Sequence, residues 1–218
     1  MEDTPIDKPT SESEATMVNA GAVTNQAVPN GNEKAAGSGF LMAAVPWLLF
    51  TVVAERGTLK IASIGALLIA IWVSRPGIQA GKPKVLELSA VFTFAAFTVA
   101  AFLVDPSVAH WLERYARAIA AGLLALVALG SLLFVPFTEQ YARERVPRQA
   151  WSSPKFKAIN RRLTMIWALT FAAMVPFHIA AGAIDSRPTN ILFNWVTPLA
   201  LVLVAMKLSN ALTADAQA

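Results

Sequence analysis

Beyond Lys34, six long apolar stretches of this chain carry no Asp, Glu, Lys or Arg: residues 35–54, 61–74, 88–104, 118–138, 163–184 and 188–206. Most approach the roughly 20 residues that a helix needs to cross a bilayer core. With 56% hydrophobic and only 15% charged residues, the chain has too little charge to wrap a soluble core of its size. The expected fold is an all-α, polytopic helical membrane protein with about six transmembrane helices. The second stretch is the weakest, because its 14 residues rise only about 21 Å against a hydrocarbon layer of roughly 30 Å. It spans if Lys60 snorkels and the flanks add length. Five spans, or a re-entrant first hairpin joined by Glu55, Arg56 and Gly57, is the competing topology.

Charge divides the rest. Residues 1–38 are acidic and rich in Thr, Ser, Asn, Pro and Gly, which predicts a disordered tail. The acidic start, with no apolar stretch before Phe40, does not resemble a cleaved signal peptide. Residues 39–208 form the predicted transmembrane domain, and 209–218 a short tail. Between the fourth and fifth apolar stretches lies a basic elbow, 138–162, with Arg143, Arg145, Arg148, Lys155, Lys157, Arg161 and Arg162 opposed only by Glu139 and Glu144. Six spans put this elbow, the Arg75, Lys82 and Lys84 loop and both tails on one face. Only Arg56, Lys60, Arg114, Arg117 and Arg187 remain for the other. The positive-inside rule then makes the elbow and both termini cytoplasmic.

Local signals place the helix ends. Pro76 and Gly77, followed by Gly81-Lys82-Pro83, mark a turn after the second run, and Asp105-Pro106 an N-cap with proline at the first helical position. From there Val108, Trp111, Leu112, Tyr115 and Ile119 form one face of an interfacial helix, with Glu113, Arg114 and Arg117 facing away. The fourth helix is expected to run past the membrane surface until Val146-Pro147 stops it. Ser153-Pro154 opens the fifth, with Trp151 and Phe156 anchoring the bend.

Several residues are candidates for chemistry. His178 is the one titratable side chain inside an apolar stretch, so it is a candidate for proton relay or ligand binding. The bland alternative is a neutral imidazole bonded to a carbonyl that Pro176 leaves without a donor. Asn194 adds a polar group to the last stretch, where packing between helices explains it as well as a substrate would. A high pI of about 9.6 would ordinarily raise nucleic acid as a partner. Because the basic residues sit beside apolar stretches, anionic headgroups of the lipid bilayer fit better, and no nucleic-acid partner is expected. The elbow is either plain topogenic charge or a docking surface for such lipid or for an acidic partner. No set of residues converges for catalysis, and no cofactor, metal ligand set or cysteine chemistry is expected.

The arrangement resembles the intracellular septation protein A family of bacterial inner-membrane proteins over about residues 40–208. The likeness rests on Pro46 and Phe50 in the first stretch, on Ile71-Trp72-Val73-Ser74-Arg75, and on the entry from Asp105 to Trp111. Its most specific piece runs from Arg162 through Leu163, Thr164, Trp167 and Ala168 to Phe171. It is similar to the family's basic-Leu-Asn-x-x-Trp-Ala-x-x-Phe helix start, with Thr164 replacing the usual Asn. The last span also lacks the family's Phe-Lys after Asn194, and the acidic tail and longer basic loop are additions. The resemblance implies a non-enzymatic protein of the bacterial inner membrane, acting in cell-envelope maintenance or septation through contacts with other membrane proteins. A small transporter or proton-coupled permease, using His178 and the proline-bent helices, is the alternative.

Overall fold

Uninterrupted apolar sequence gives α-helix along nearly all of the chain described by the computed structural model, which covers residues 38–54 and 58–215. Of the acidic stretch expected to be disordered, 1–38, all but Ser38 lies outside the described residues, as do the 55–57 link of the re-entrant alternative and the last three residues. The helices are α1 (Ser38–Val53), α2 (Leu59–Gln79), α3 (Val85–Leu103), α4 (Pro106–Ser131), a short α5 (Phe137–Ala142), α6 (Pro154–Ile184), α7 (Arg187–Ile191) and α8 (Thr197–Asp215). A 3₁₀ turn, Arg148–Ser152, precedes α6, and a π turn, Leu192–Val196, joins α7 to α8. No strand occurs among the described residues.

Among the described residues, four helical segments are long and apolar enough to cross a membrane: α2, α3, α6 and the rod Arg187–Ala214. The first is apolar but shorter, and α4 opens with the polar His110, Glu113, Arg114 and Arg117. This is compatible with a helical membrane protein. The outside is correspondingly greasy: Ile61, Leu68, Trp72, Phe92, Leu103 and Leu133 are all exposed.

Successive long helices run to and fro between two ends. At the elbow end, the start of α1 meets the elbow, since Gly39 lies beside Tyr141 and Glu144. At the other, the hairpin end, Arg117 donates from Nε to the Thr51 carbonyl at 3.0 Å and Arg114 pairs with Asp185 at 2.8 Å. Aromatic rings fill the α1, α2 and α3 side, where Phe50 lies 5.1 Å from Phe94 and 4.9 Å from Phe97, and Trp47 5.0 Å from Phe94. The α4 and α6 seam is built instead from small residues, with Ala116, Ala120, Ala128, Ala168 and Ala181 buried. Small side chains let two backbones approach closely, which is how helices associate when burial of grease supplies little drive.

Two helix boundaries depart from the sequence expectation. The second helix does not turn at Pro76 and Gly77: it carries Pro76 inside and ends at Gln79, with Gly81 at φ +65 making the left-handed turn. At 21 residues it rises about 31 Å, so the shortfall expected of the second stretch disappears. The fourth helix does not reach Val146. It stops at Ser131, because Pro136 has no N–H to donate and disfavours helix at Val135 before it. Ser131 Oγ accepts from the Phe137 N–H at 3.1 Å, which ties the start of α5 back to the end of α4. The Asp105-Pro106 and Ser153-Pro154 starts stand where expected, although neither cap side chain makes a hydrogen bond.

Gly182 marks a close approach in the α4 and α6 seam, for a Cβ there would lie 2.8 Å from Tyr115 Cε1 and 3.0 Å from the Arg114 carbonyl. Gly182→Val should therefore destabilise detergent-solubilised protein by about 1–3 kcal/mol. Gly130→Ala, where the added methyl meets nothing within 4 Å, should be neutral or stabilise by about 0.5–1 kcal/mol. Thermal unfolding of both variants checks this, and equal effects at the two positions would contradict the close approach.

Candidate functional site

The polar side chains gather at the two ends of the bundle. At the elbow end, α5 is fixed first. Thr138 donates its hydroxyl proton to the Asn160 carbonyl at 2.8 Å, so in its 2.8 Å contact with Thr164 it can only accept. Gln140 reaches the other way, accepting from the Val85 N–H at 2.8 Å. These bonds lock α5 between the starts of α3 and α6, and the buried Phe137 packs with Phe40.

The charged part of the elbow is built on that plug. Buried Glu139 holds Arg143, with Nη2 2.6 Å and Nε 3.1 Å from one carboxylate oxygen. The bend closes where Trp151 Nε1 donates to the Val146 carbonyl at 3.1 Å. Both Arg143 and Arg148 then lie against the Trp151 ring, 5.2 and 5.8 Å from its centre. Lys84 comes in from the α2 to α3 turn, pairing with Glu144 at 2.9 Å and Glu87 at 3.5 Å, and sits 4.5 Å over the Tyr141 ring. Burial, with the Glu87 and Glu144 carboxylates nearby, pushes the Tyr141 phenol far above its ordinary value, so it stays protonated.

The seven basic residues expected to act together therefore divide. Arg143 is half-buried and committed to Glu139 and Trp151. Arg145 and Arg148 are exposed at the bend, and Lys155, Lys157, Arg161 and Arg162 are exposed on the first turns of α6. Lys84, Glu87 and Tyr141 were missed by sequence reasoning, since Lys84 pairs locally with Glu87 but meets Tyr141 and Glu144 only across more than fifty residues of chain.

At the hairpin end, His178 and Asn194 meet. Asn194 donates from Nδ2 to Asn190 Oδ1, which turns its own Oδ1 toward the imidazole, and His178 Nδ1 lies 2.7 Å from it. An amide oxygen only accepts, so the imidazole carries its proton on Nδ1. The expected partner, a carbonyl freed by Pro176, is not the one used. Asn190 is a member that sequence reasoning missed. The signal was there: the turn at Asp185 and Ser186 folds α6 back on α7, and residues equally far from Ser186, such as 178 and 194, come side by side. The π turn carries Asn194 inward, and such turns recur at functional positions.

Asn190 and Asn194 line a cavity of about 930 Å³ with Glu113, Arg114, Arg117, Asp185 and Trp195. Glu113 and Arg117 do not face away as expected. Glu113 is nearly buried, 3.6 Å from His110, and Arg117 lies 6.0 Å from the Trp195 ring centre, because the close seam at Gly182 draws this face of α4 toward α6.

The His178 and Asn194 contact is measurable as a coupling. Singly, His178→Phe and Asn194→Leu each strand a buried partner. In a double-mutant cycle of unfolding in micelles the pair should couple by about 0.6 kcal/mol, with about 1.7 kcal/mol as a ceiling. Strict additivity would contradict the bond. No protein-family model, no curated protein and no solved structure matches this chain.

Proposed function

We propose that the protein is a non-enzymatic scaffold of the bacterial inner membrane, with six helical spans, both termini in the cytoplasm and the basic elbow as its working surface. The observation that carries this reading is the length and face of α6. Its 31 residues rise about 46 Å, against roughly 30 Å of hydrocarbon, so about ten must stand outside. Along one exposed face Lys155 and Arg162 give way to Met165 and Leu169, a change from charge to grease of the kind that suits the passage from headgroups to acyl chains. Each basic residue held there attracts anionic lipid by about 1 kcal/mol. Glu139 and Trp151 fix Arg143 and Arg148 in the bend, which gives that surface a set shape. The resemblance to the septation family supplies the cellular setting, cell-envelope maintenance with other membrane proteins as partners.

The second reading, a small transporter or proton-coupled permease, draws on the His178, Asn194 and Asn190 chain beside its cavity. An intramembrane imidazole reached through a polar cavity is a common feature of proton paths.

Two measurements separate these. Protein extracted from membranes in polymer-bounded lipid discs should carry anionic lipid above its bulk fraction. Replacing Lys155, Lys157, Arg161 and Arg162 together by Gln should return that fraction toward bulk, and an unchanged fraction would sink the scaffold surface. In proteoliposomes under a potassium diffusion potential, proton entry reported by a trapped dye should be the same for the parent and His178→Ala. A His178-dependent flux would favour the permease instead.

A further inference from the structure

The elbow and the turn after α2 line a groove of about 1560 Å³, which shares Arg143, Arg148 and Trp151 with the elbow surface and adds Arg75, Lys82 and an apolar wall that the surface does not use. It exceeds the roughly 300–1,000 Å³ typical of small-molecule pockets. Its rim is cationic, with Arg75 and Lys82 on one side and Arg143 and Arg148 on the other. The two carboxylates that also line it, Glu87 and Glu144, are both engaged by Lys84. Among the described residues, neither Arg75 nor Lys82 has a carboxylate partner, and both are exposed. Below the rim the wall changes character. Met42, Trp72, Val73 and Leu88 line it, from helices whose outer surface is apolar, and Trp72 is 60% exposed there.

A cationic rim above an apolar wall is the shape of a site for one amphiphile with an anionic head. We propose that this groove holds a single anionic phospholipid, its phosphate between Arg75 and Lys82 on one side and Arg148 on the other, and its upper acyl chain along Trp72. The inference rests on the membrane reading above, and it differs from the exposed α6 surface in being one discrete site with residues from two loops. A carboxylate-rich protein partner would need no apolar wall, so lipid is the occupant the groove favours. Gly77 keeps the groove's floor in place: a Cβ there would meet the Lys82 carbonyl at 3.2 Å and Glu87 Oε2 at 3.3 Å.

The test is native mass spectrometry of the full chain, delipidated in mild detergent and then given phosphatidylglycerol, phosphatidylcholine or soluble glycerol phosphate. One phosphatidylglycerol should be retained per chain, with phosphatidylcholine lost, and millimolar glycerol phosphate should not displace it. Arg75→Gln combined with Lys82→Gln should weaken retention about thirtyfold. Trp72→Ala should also shorten it, with the unfolding midpoint of each variant confirming an intact fold. The same retention in the Arg75 and Lys82 double variant, equal retention of phosphatidylcholine, or displacement by glycerol phosphate would each overturn the site. If the groove variant keeps its lipid while the Lys155, Lys157, Arg161 and Arg162 variant loses its anionic enrichment, the groove fails and the elbow reading stands. If the groove lipid is retained as described while the four-residue variant keeps its enrichment, the elbow reading fails alone.

Discussion

Backbone amides and carbonyls that face an apolar exterior must find their partners within the chain, and helix is the local way to satisfy all of them. That constraint shapes everything described here. Ile61, Leu68, Phe92 and Leu199 point outward from helices whose inner faces are no more apolar than their outer ones. The drive to bury grease therefore does little to choose which faces meet. Small residues choose instead, through the alanine seam of α4 and α6 and the close approach at Gly182, while the ring cluster of Trp47, Phe50, Phe94 and Phe97 packs the α1 and α3 side.

Polar side chains follow the same logic, because an unpaired polar group is costly wherever water is excluded. At the elbow end most of them are paired in layers: hydroxyls of Thr138 and Thr164 innermost, then Glu139 with Arg143, then cations open to solvent. At the hairpin end a single file of His178, Asn194 and Asn190 leads inward from a cavity edged by the Arg114 and Asp185 ion pair. The two ends thus differ in kind. One is a broad cationic surface, and the other a short chain of buried polar side chains beside a cavity.

Most of the helices could be read from the sequence, because runs without charge admit few other structures. The misplaced boundaries have local causes. Leu132, Leu133, Phe134 and Val135 continue the apolar pattern of α4 beyond its end, so apolarity outweighed the break encoded by Pro136. Arg75 and Pro76 read as a stop, yet a proline late in α2 removes only a donor that neighbouring groups tolerate losing, and the turn waited for Gly81. The charged residues of the elbow were visible individually. Their division into anchored and exposed sets was not, since it depends on Trp151, on Lys84 from another loop and on the burial of Glu139. His178 and Asn194 were each visible as polar intruders, and only the hairpin geometry joins them.

Since the chain has no cysteine of its own, one introduced thiol reports its surroundings without interference, and the account turns on the elbow and the hairpin lying on opposite sides of a bilayer. Ser152→Cys and Ser186→Cys, each in otherwise unaltered full-length protein, can be treated in intact cells with a membrane-impermeant maleimide. Position 186 should be labelled in intact cells and position 152 only after the membrane is opened. Labelling of both positions from the same side, or release of the protein from membranes without detergent, would contradict it.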